Sequence, residues 1–371
     1  MKNKKILYFV SEDWYFISHR LSLALEAKKM GYKVYLITRV NSSQSILEKN
    51  GIKVFPIKIN RGKLNILQDL FLIIKLYNII KKNCPDIIHN VSLKPIVLGT
   101  IVGNFAKIKV INTLPGLGYV NNTSKNFFQI IIKYTVKYLL KFCLKNLKSK
   151  IVVQNKRDLI ISKDLFKSNK NQLFLISGSG VDCNFYYPQC KSKSFLRVSL
   201  ISRMIWDKGI KDFVEAARCI KLRYPKVLFT LVGKVDNENK NYIPLDYLKT
   251  LNNEGFVEWV GFKNDIRRIL KKTHIACLPT FYSEGLPKFL LEANAMSTPV
   301  VCTDNPGCTE LVKHNYNGIV IPERNVKKLI EALTFLIEEP SERLRMGTNG
   351  RKLVLKKFEL KLINKEYIKL Y

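Results

Sequence analysis

No two of the eight cysteines (84, 143, 183, 190, 219, 277, 302 and 308) have C-x-x-C spacing. That argues against the common zinc frameworks and for reduced thiols. No apolar signal core follows Met1. Lys2, Lys4 and Lys5 run directly into a short strand pattern, Ile6–Val10, so a cytoplasmic chain is expected. Where a dinucleotide fold needs G-x-G-x-x-G after its first strand, this chain has Ser11-Glu12-Asp13-Trp14-Tyr15-Phe16, bulky and free of glycine. No Walker loop is present either, so the dehydrogenase and P-loop classes both fall. No repeat at a solenoid period is visible. Between Asp86 and Asp158 there is no acidic residue at all, against twelve basic ones.

That last gap belongs to a larger imbalance. The formal net charge is +34 over 371 residues. Residues 1–190 carry 31 Lys/Arg against 9 Asp/Glu, a balance of +22, and the remainder carries +12. So basic a first half implies an anionic partner, whether nucleic acid, a membrane surface or a phosphorylated substrate. Biased genomic composition is the bland alternative. No aromatic-interleaved basic motif or known DNA-binding pattern supports nucleic acid. The stretch 126–147 reads as a helix with Lys133, Lys137, Lys141 and Lys145 recurring every four residues. It is too interrupted to span a bilayer, which takes roughly 20 apolar residues. It fits a helix lying on an anionic membrane surface, or else a buried helix with one solvated basic side.

Short apolar runs alternate with helical patterns throughout, which predicts an α/β chain of parallel units. One series of strands runs from Ile6–Val10 to Leu173–Ile176, and a second from Arg197–Ile201 to Gly318–Ile321. The irregular segment 184–194 separates them. The expectation is therefore a first domain over 1–183, a linker over 184–194, a second domain over 195–358, and a last segment, 359–371, returning to the first domain. Ligands of such sheets bind beyond the carboxyl ends of the strands.

The richest stretch is Glu284-Gly285-Leu286-Pro287-Lys288-Phe289-Leu290-Leu291-Glu292-Ala293. Pro287 suits a first helical position, and Gly285 lets backbone approach a ligand. Glu292 would lie about 12 Å beyond Glu284 at 1.5 Å per residue. Free N–H groups at such a helix start attract anions. By spacing alone, two ordinary glutamates on a capped surface helix explain the pattern equally well.

The longer series changes this. Leu278-Pro279-Thr280, Glu284-Gly285, Glu292-Ala293, Pro299-Val300-Val301, Asp304, Gly307, Glu310 and Asn317-Gly318 together resemble the donor-site signature of the family 4 glycosyltransferases. These are retaining nucleotide-sugar enzymes of the GT-B fold, two Rossmann-like domains with parallel sheets facing across a cleft. Ser202-Arg203-Met204-Ile205-Trp206-Asp207-Lys208-Gly209 resembles the family's G-R-x-x-x-x-K-G loop, with Ser202 replacing its glycine. The resemblance implies that Arg203 and Lys208 clamp the donor diphosphate, the one as a planar fork and the other as a point charge. It implies Glu284 at the donor sugar and Glu292 at the ribose hydroxyls. Gly285, Leu286 and Pro287 would lie at the phosphate, and Gly261 and Phe262 at the nucleobase.

Glu-Gly-Leu-Pro in place of the commoner E-G-F-G resembles a subset that builds bacterial surface polysaccharide on polyprenyl diphosphate carriers. Thr113-Leu114-Pro115-Gly116-Leu117-Gly118-Tyr119 matches that subset's glycine-rich loop, without the histidine many members carry there. The implied donor is a UDP-sugar, most naturally a UDP-N-acetylhexosamine, and the implied acceptor a polyprenyl-diphosphate-linked saccharide. On the acceptor side His19, His89, Gly116 and Gly118 are the candidates, although either histidine could equally be structural. No D-x-D motif stands in a convincing context, so neither a cofactor nor an obligatory metal is expected. A nucleotide-sugar epimerase of similar shape, and a non-enzymatic docking component of a polysaccharide assembly complex, remain the alternatives.

Overall fold

The computed structural model describes residues 4–41, 43–60, 66–117, 134, 138, 141, 149–166, 172–191 and 194–371. The chain divides into two compact units, Met1–Ser179 with Lys361–Tyr371, and Gly180–Leu360.

The first unit is built on a seven-stranded sheet in the order β3-β2-β1-β4-β5-β6-β7, every neighbouring pair parallel. Its strands are β1 (Lys5–Glu12), β2 (Lys33–Arg39), β3 (Lys53–Pro56), β4 (Ile87–Val91), β5 (Lys109–Leu114), β6 (Ser149–Val153) and β7 (Leu173–Leu175). Strand β1 is central and buried along nearly all of its length, as an uninterrupted apolar run demands. Its side chains alternate between two cores. Ile6, Tyr8 and Val10 join Leu23, Ala27 and Tyr367 on one face. Leu7 and Phe9 join Leu72, Leu76 and Ile80 on the other.

Helices flank both faces: α1 (Asp13–His19), α2 (Leu21–Lys29), α3 (Gln44–Lys49), α4 (Ile66–Asn83), α5 (Leu93–Phe105) and α6 (Lys156–Phe166). Helix α2 begins at Leu21. Arg20, at φ −132°, breaks the chain between α1 and α2, so His19 closes the first helix and does not open the second. The stretch 126–147 lies outside the described residues, apart from the helical, exposed Tyr134, Tyr138 and Lys141.

The second unit holds a six-stranded parallel sheet ordered β10-β9-β8-β11-β12-β13. Its strands are β8 (Leu196–Ile201), β9 (Val227–Val232), β10 (Glu258–Trp259), β11 (Ile275–Leu278), β12 (Val300–Thr303) and β13 (Gly318–Ile321). Its helices are α7 (Ile210–Arg223), α8 (Leu245–Glu254), α9 (Arg267–Leu270), α10 (Lys288–Ala295), α11 (Pro306–Leu311), α12 (Val326–Glu338) and α13 (Pro340–Lys357). A single connected core, drawing on both faces of the sheet, includes Val198, Phe213, Phe229, Leu290 and Val301.

The last helix is α14 (Leu360–Ile368). From Lys361 the chain belongs to the first unit, where Ile363, Tyr367 and Leu370 enter the core with Ile6 and Tyr8. Three long-range hydrogen bonds hold Tyr371 there. Its hydroxyl lies 2.6 Å from that of Tyr8 and 2.8 Å from His89 Nδ1, and its carbonyl accepts from Lys109 Nζ at 2.8 Å. Among the described residues no helix is long and apolar enough to cross a membrane.

Candidate active site

In the second unit the loops after β8 and β11, neighbouring strands at the middle of the sheet, are joined by one backbone carbonyl. The Asp207 oxygen accepts from the amides of Phe281 and Tyr282 at 3.0 and 2.9 Å and from Thr280 Oγ1 at 3.1 Å. The β8 loop can come this close because Gly209 carries no side chain. A Cβ there would lie 2.0 Å from the Pro279 carbonyl oxygen, and its φ of +73° is left-handed as well. A short 3-10 turn, Trp206–Lys208, aims Lys208 back into the gap.

There Lys208 Nζ forms an ion pair and hydrogen bond with Glu284 Oε1. Arg203 lies beside them, its Nη1 2.5 Å from Asp236 Oδ2. Both cations face the Tyr282 ring, Lys208 Nζ at 4.7 Å and the Arg203 guanidinium carbon at 5.8 Å from its centre. Burial works against the charge on Arg203, but Tyr282 and Asp236 outweigh it and hold the guanidinium above its ordinary pKa.

Asn305, after β12, braces the acidic loop from below. Its Nδ2 donates to the Tyr282 carbonyl at 3.0 Å and to Glu323 Oε1 at 3.3 Å, while its Oδ1 accepts from the Glu284 amide at 3.4 Å. Gly307 lets α11 approach the same loop, since a Cβ there would meet the Glu284 and Gly285 carbonyls at 2.6 and 2.8 Å.

Helix α10 begins at Lys288, with Pro287 as its extended N-cap and not its first helical residue. The 12 Å helical spacing between the two glutamates therefore does not hold, because only Glu292 is in the helix. Phe289, Leu290, Leu291 and Ala293 are buried as their pattern required, and Glu292 is buried with them, 2% exposed. Burial raises the Glu292 carboxyl above its ordinary range. Lys288, 3.5 Å away, and a hydrogen bond from Tyr186 offset part of that. Leu286 packs on the core, while Phe262 is exposed. Gly261, in left-handed backbone at φ +69°, accepts from the Gly233 amide at 2.9 Å. Gly233 itself lies against the Ser202 carbonyl, so the loops after β8, β9 and β10 form one layer.

Two family profiles match the chain. "Glycosyl transferase 4-like" covers residues 5–155 and "Glycosyl transferases group 1" covers residues 191–353, the latter holding every residue named above except Tyr186. This chain is a glycosyltransferase.

It is 28% identical, over 95% of its length and 94% of the relative's, to the N,N'-diacetylbacillosaminyl-diphospho-undecaprenol alpha-1,3-N-acetylgalactosaminyltransferase of Campylobacter jejuni. It is 24% identical, over 89% and 86%, to the UDP-Gal:alpha-D-GlcNAc-diphosphoundecaprenol alpha-1,3-galactosyltransferase of Escherichia coli. The crystal structure of a glycosyltransferase from Rickettsia africae superposes with a TM-score of 0.79 at 19% identity, over 100% of this chain and 98% of that one. The fold is GT-B.

In the first unit of this glycosyltransferase, His19 stacks on Tyr15 with ring centres 4.1 Å apart, and its Nδ1 lies 2.6 Å from Ser18 Oγ. His89 is fully buried on β4. Both its ring nitrogens are engaged, Nδ1 with Tyr371 and Nε2 with Thr113 Oγ1 at 2.8 Å. Burial first, then the charge of Arg20, hold it neutral, well below the usual histidine pKa. Gly116 is half-buried after β5, and Gly118 lies outside the described residues. His274 and His314 each accept a backbone amide, from Arg197 and Val320, at 3.1 Å.

Sequence reasoning did not find Asp236, Tyr282, Asn305 or Tyr186. Tyr282 stands two residues before Glu284 and could have been suspected from the motif. Asp236, in the loop after β9, is 33 residues from Arg203, and Tyr186, in the irregular segment before β8, is 106 from Glu292, so only the fold brings them in. Among the described residues no group of acids, histidines and cysteines is arranged to hold a metal ion.

Proposed function

We propose that this glycosyltransferase moves a sugar, in the first instance an N-acetylhexosamine, from a UDP-sugar to a saccharide carried on polyprenyl diphosphate, with retention at the anomeric carbon. The observation that carries the reading is the pairing of Arg203 and Lys208 over Tyr282 with Glu284 against them. In the reaction the bond from the anomeric carbon to the diphosphate oxygen breaks and a bond to the acceptor oxygen forms. The acceptor's proton passes to the departing phosphate. Negative charge grows on that diphosphate, and two fixed cations there stabilise it more in the transition state than in the ground state. The buried Glu292 would accept hydrogen bonds from the ribose hydroxyls. Glu284, which orients Lys208 before the donor arrives, would face the sugar. Gly285, Leu286 and Pro287 would lie along the phosphates, and the exposed Phe262 beside Gly261 would cover the base.

Donor and acceptor classes are supported by the names of the two relatives, one of which specifies a UDP-sugar donor and both of which specify undecaprenol-diphosphate acceptors. A polyprenyl carrier resides in a membrane, so on this reading the chain would work at a membrane surface, expected on the cytoplasmic side, in keeping with its basic first half. The test is incubation with radiolabelled UDP-sugars and polyprenyl-diphosphate saccharides. Label should move to the lipid fraction. Full transfer by both Arg203→Ala and Glu284→Ala proteins would sink the site assignment. Release of an altered sugar nucleotide without acceptor would favour an epimerase.

A further inference from the structure

Helix α4 is apolar on two opposite sides. Leu72, Leu76 and Ile80, at most 5% exposed, face the core with Leu7 and Phe9. Leu67, Leu70, Phe71 and Ile74 are 52–72% exposed, and their spacing of three and four residues makes them one continuous outer stripe. Scattered exposed apolar residues are ordinary, but a contiguous stripe of large ones marks an interaction surface. A shallow hollow of about 360 Å³ continues it, with Phe55, Lys75 and Lys82 in its walls.

The charge beside the stripe is of one sign. The helix has one acidic residue, Asp69, and Lys94 neutralises it at 2.6 Å. Lys75, Lys81 and Lys82 are exposed along its second half, and Lys53 lies 5.4 Å over the Phe55 ring. A second copy of this +34 chain would bring like charge to like. A surface of anionic phosphates over hydrocarbon satisfies both halves of the pattern at once.

We infer that the outer face of α4 is a docking surface for an anionic lipid bilayer, with Leu67, Leu70, Phe71 and Ile74 entering the acyl boundary and Lys81 and Lys82 at the headgroup phosphates. This rests on the lipid-linked acceptor reading above. It assigns the contact to a helix other than the lysine-striped 126–147.

The experiment is sedimentation of the full chain with phosphatidylcholine vesicles, with and without phosphatidylglycerol, at low and high salt. The parent should bind the anionic vesicles, and less so as salt screens the lysines. Phe71→Glu/Ile74→Glu should weaken partitioning on the order of a hundredfold, since two large side chains leave the acyl layer. Leu222→Glu/Leu344→Glu, at exposed apolar sites of the second unit, should bind like the parent. Transfer to a water-soluble, short-chain acceptor should be unchanged in all of them, which also shows that they fold.

Parent-like vesicle binding by the Phe71/Ile74 variant would overturn the assignment to α4 while leaving the acceptor reading intact. A parent that ignores anionic vesicles would overturn the docking surface, and the transfer assay then judges the acceptor reading separately. A parent dimer that the same variant converts to monomer would make a second copy the occupant and overturn the lipid assignment.

Discussion

With side-chain exposures of 9% and 14%, Lys208 and Glu284 have traded most of their hydration for each other. Removing one partner strands the other, which typically costs about 3–5 kcal/mol. Glu284→Ala should therefore lower the urea midpoint markedly. A Lys208→Met/Glu284→Leu double variant should regain much of that stability while staying inactive. Stability and activity would then separate, as expected if the pair is kept for the diphosphate and not for the fold. In transfer assays Lys208→Ala and Arg203→Ala should each lose on the order of 10²–10³ in kcat, the usual effect of removing one preorganised charge. Glu292 makes a different prediction. Its folded pKa is raised above 4.5 by burial, so its contribution to stability is present below that pH and lost as pH rises through the raised value. Glu292→Gln should therefore raise Tm at neutral pH, with the gain vanishing toward pH 4, while KM for the donor rises.

Elements decide how these residues meet. The loop after β8 reaches the loop after β11 only because Gly209 fits against Pro279, so Gly209→Ala should cost more than the ~1–2 kcal/mol of left-handed strain alone. It should also lower activity, since Lys208 is the residue before it. In the first unit, α14 is followed three residues later by Tyr371, whose hydroxyl lies between Tyr8 and His89. His89 stays neutral with a pKa well below 6.5, as burial and then Arg20 oppose its charge. A depressed histidine contributes stability above its unfolded pKa that is lost as pH falls toward the folded value. Thermal melts should accordingly fall off below about pH 6.5, and His89→Gln should flatten that slope. An unchanged slope would mean that other groups govern the acid limb.

At the scale of the molecule, the proposed donor site draws every residue from the second unit. UDP present at a hundred times its Kd should add about 2.7 kcal/mol to the stability of that unit. In a Trp14→Phe protein the remaining fluorophores, Trp206 and Trp259, both lie in Gly180–Leu360 and should report the shift. Backbone exchange of β1 and β4 should respond less. Equal protection of both units would mean that the nucleotide engages residues outside Gly180–Leu360.

The thirteen strands among the described residues were legible because parallel sheets are covered on both faces, so their strands are mostly apolar runs, and such runs stand out between lysine-rich helices. Arg203, Lys208 and Glu284 in loops and Glu292 on α10 were legible as candidates because their motifs follow one another in a fixed order. Helix limits were less so. Pro287 is equally at home as N-cap or first residue, and Arg20 breaks a helix that its side-chain pattern would have allowed to continue. The solvent face of α4 also escaped notice, since periodicity cannot tell a stripe buried by neighbours from one left bare. The sequence by itself determined the α/β class, the family and the cations at the proposed diphosphate site, all properties of local pattern and order. Only the tertiary structure decided that Asp236 would hold Arg203, that Tyr282 would lie under both cations, and that His89 would be locked to Tyr371. Those contacts join residues 33, 74 to 79 and 282 positions apart, and only the order of the strands and the return of Lys361–Tyr371 to the first unit bring them together.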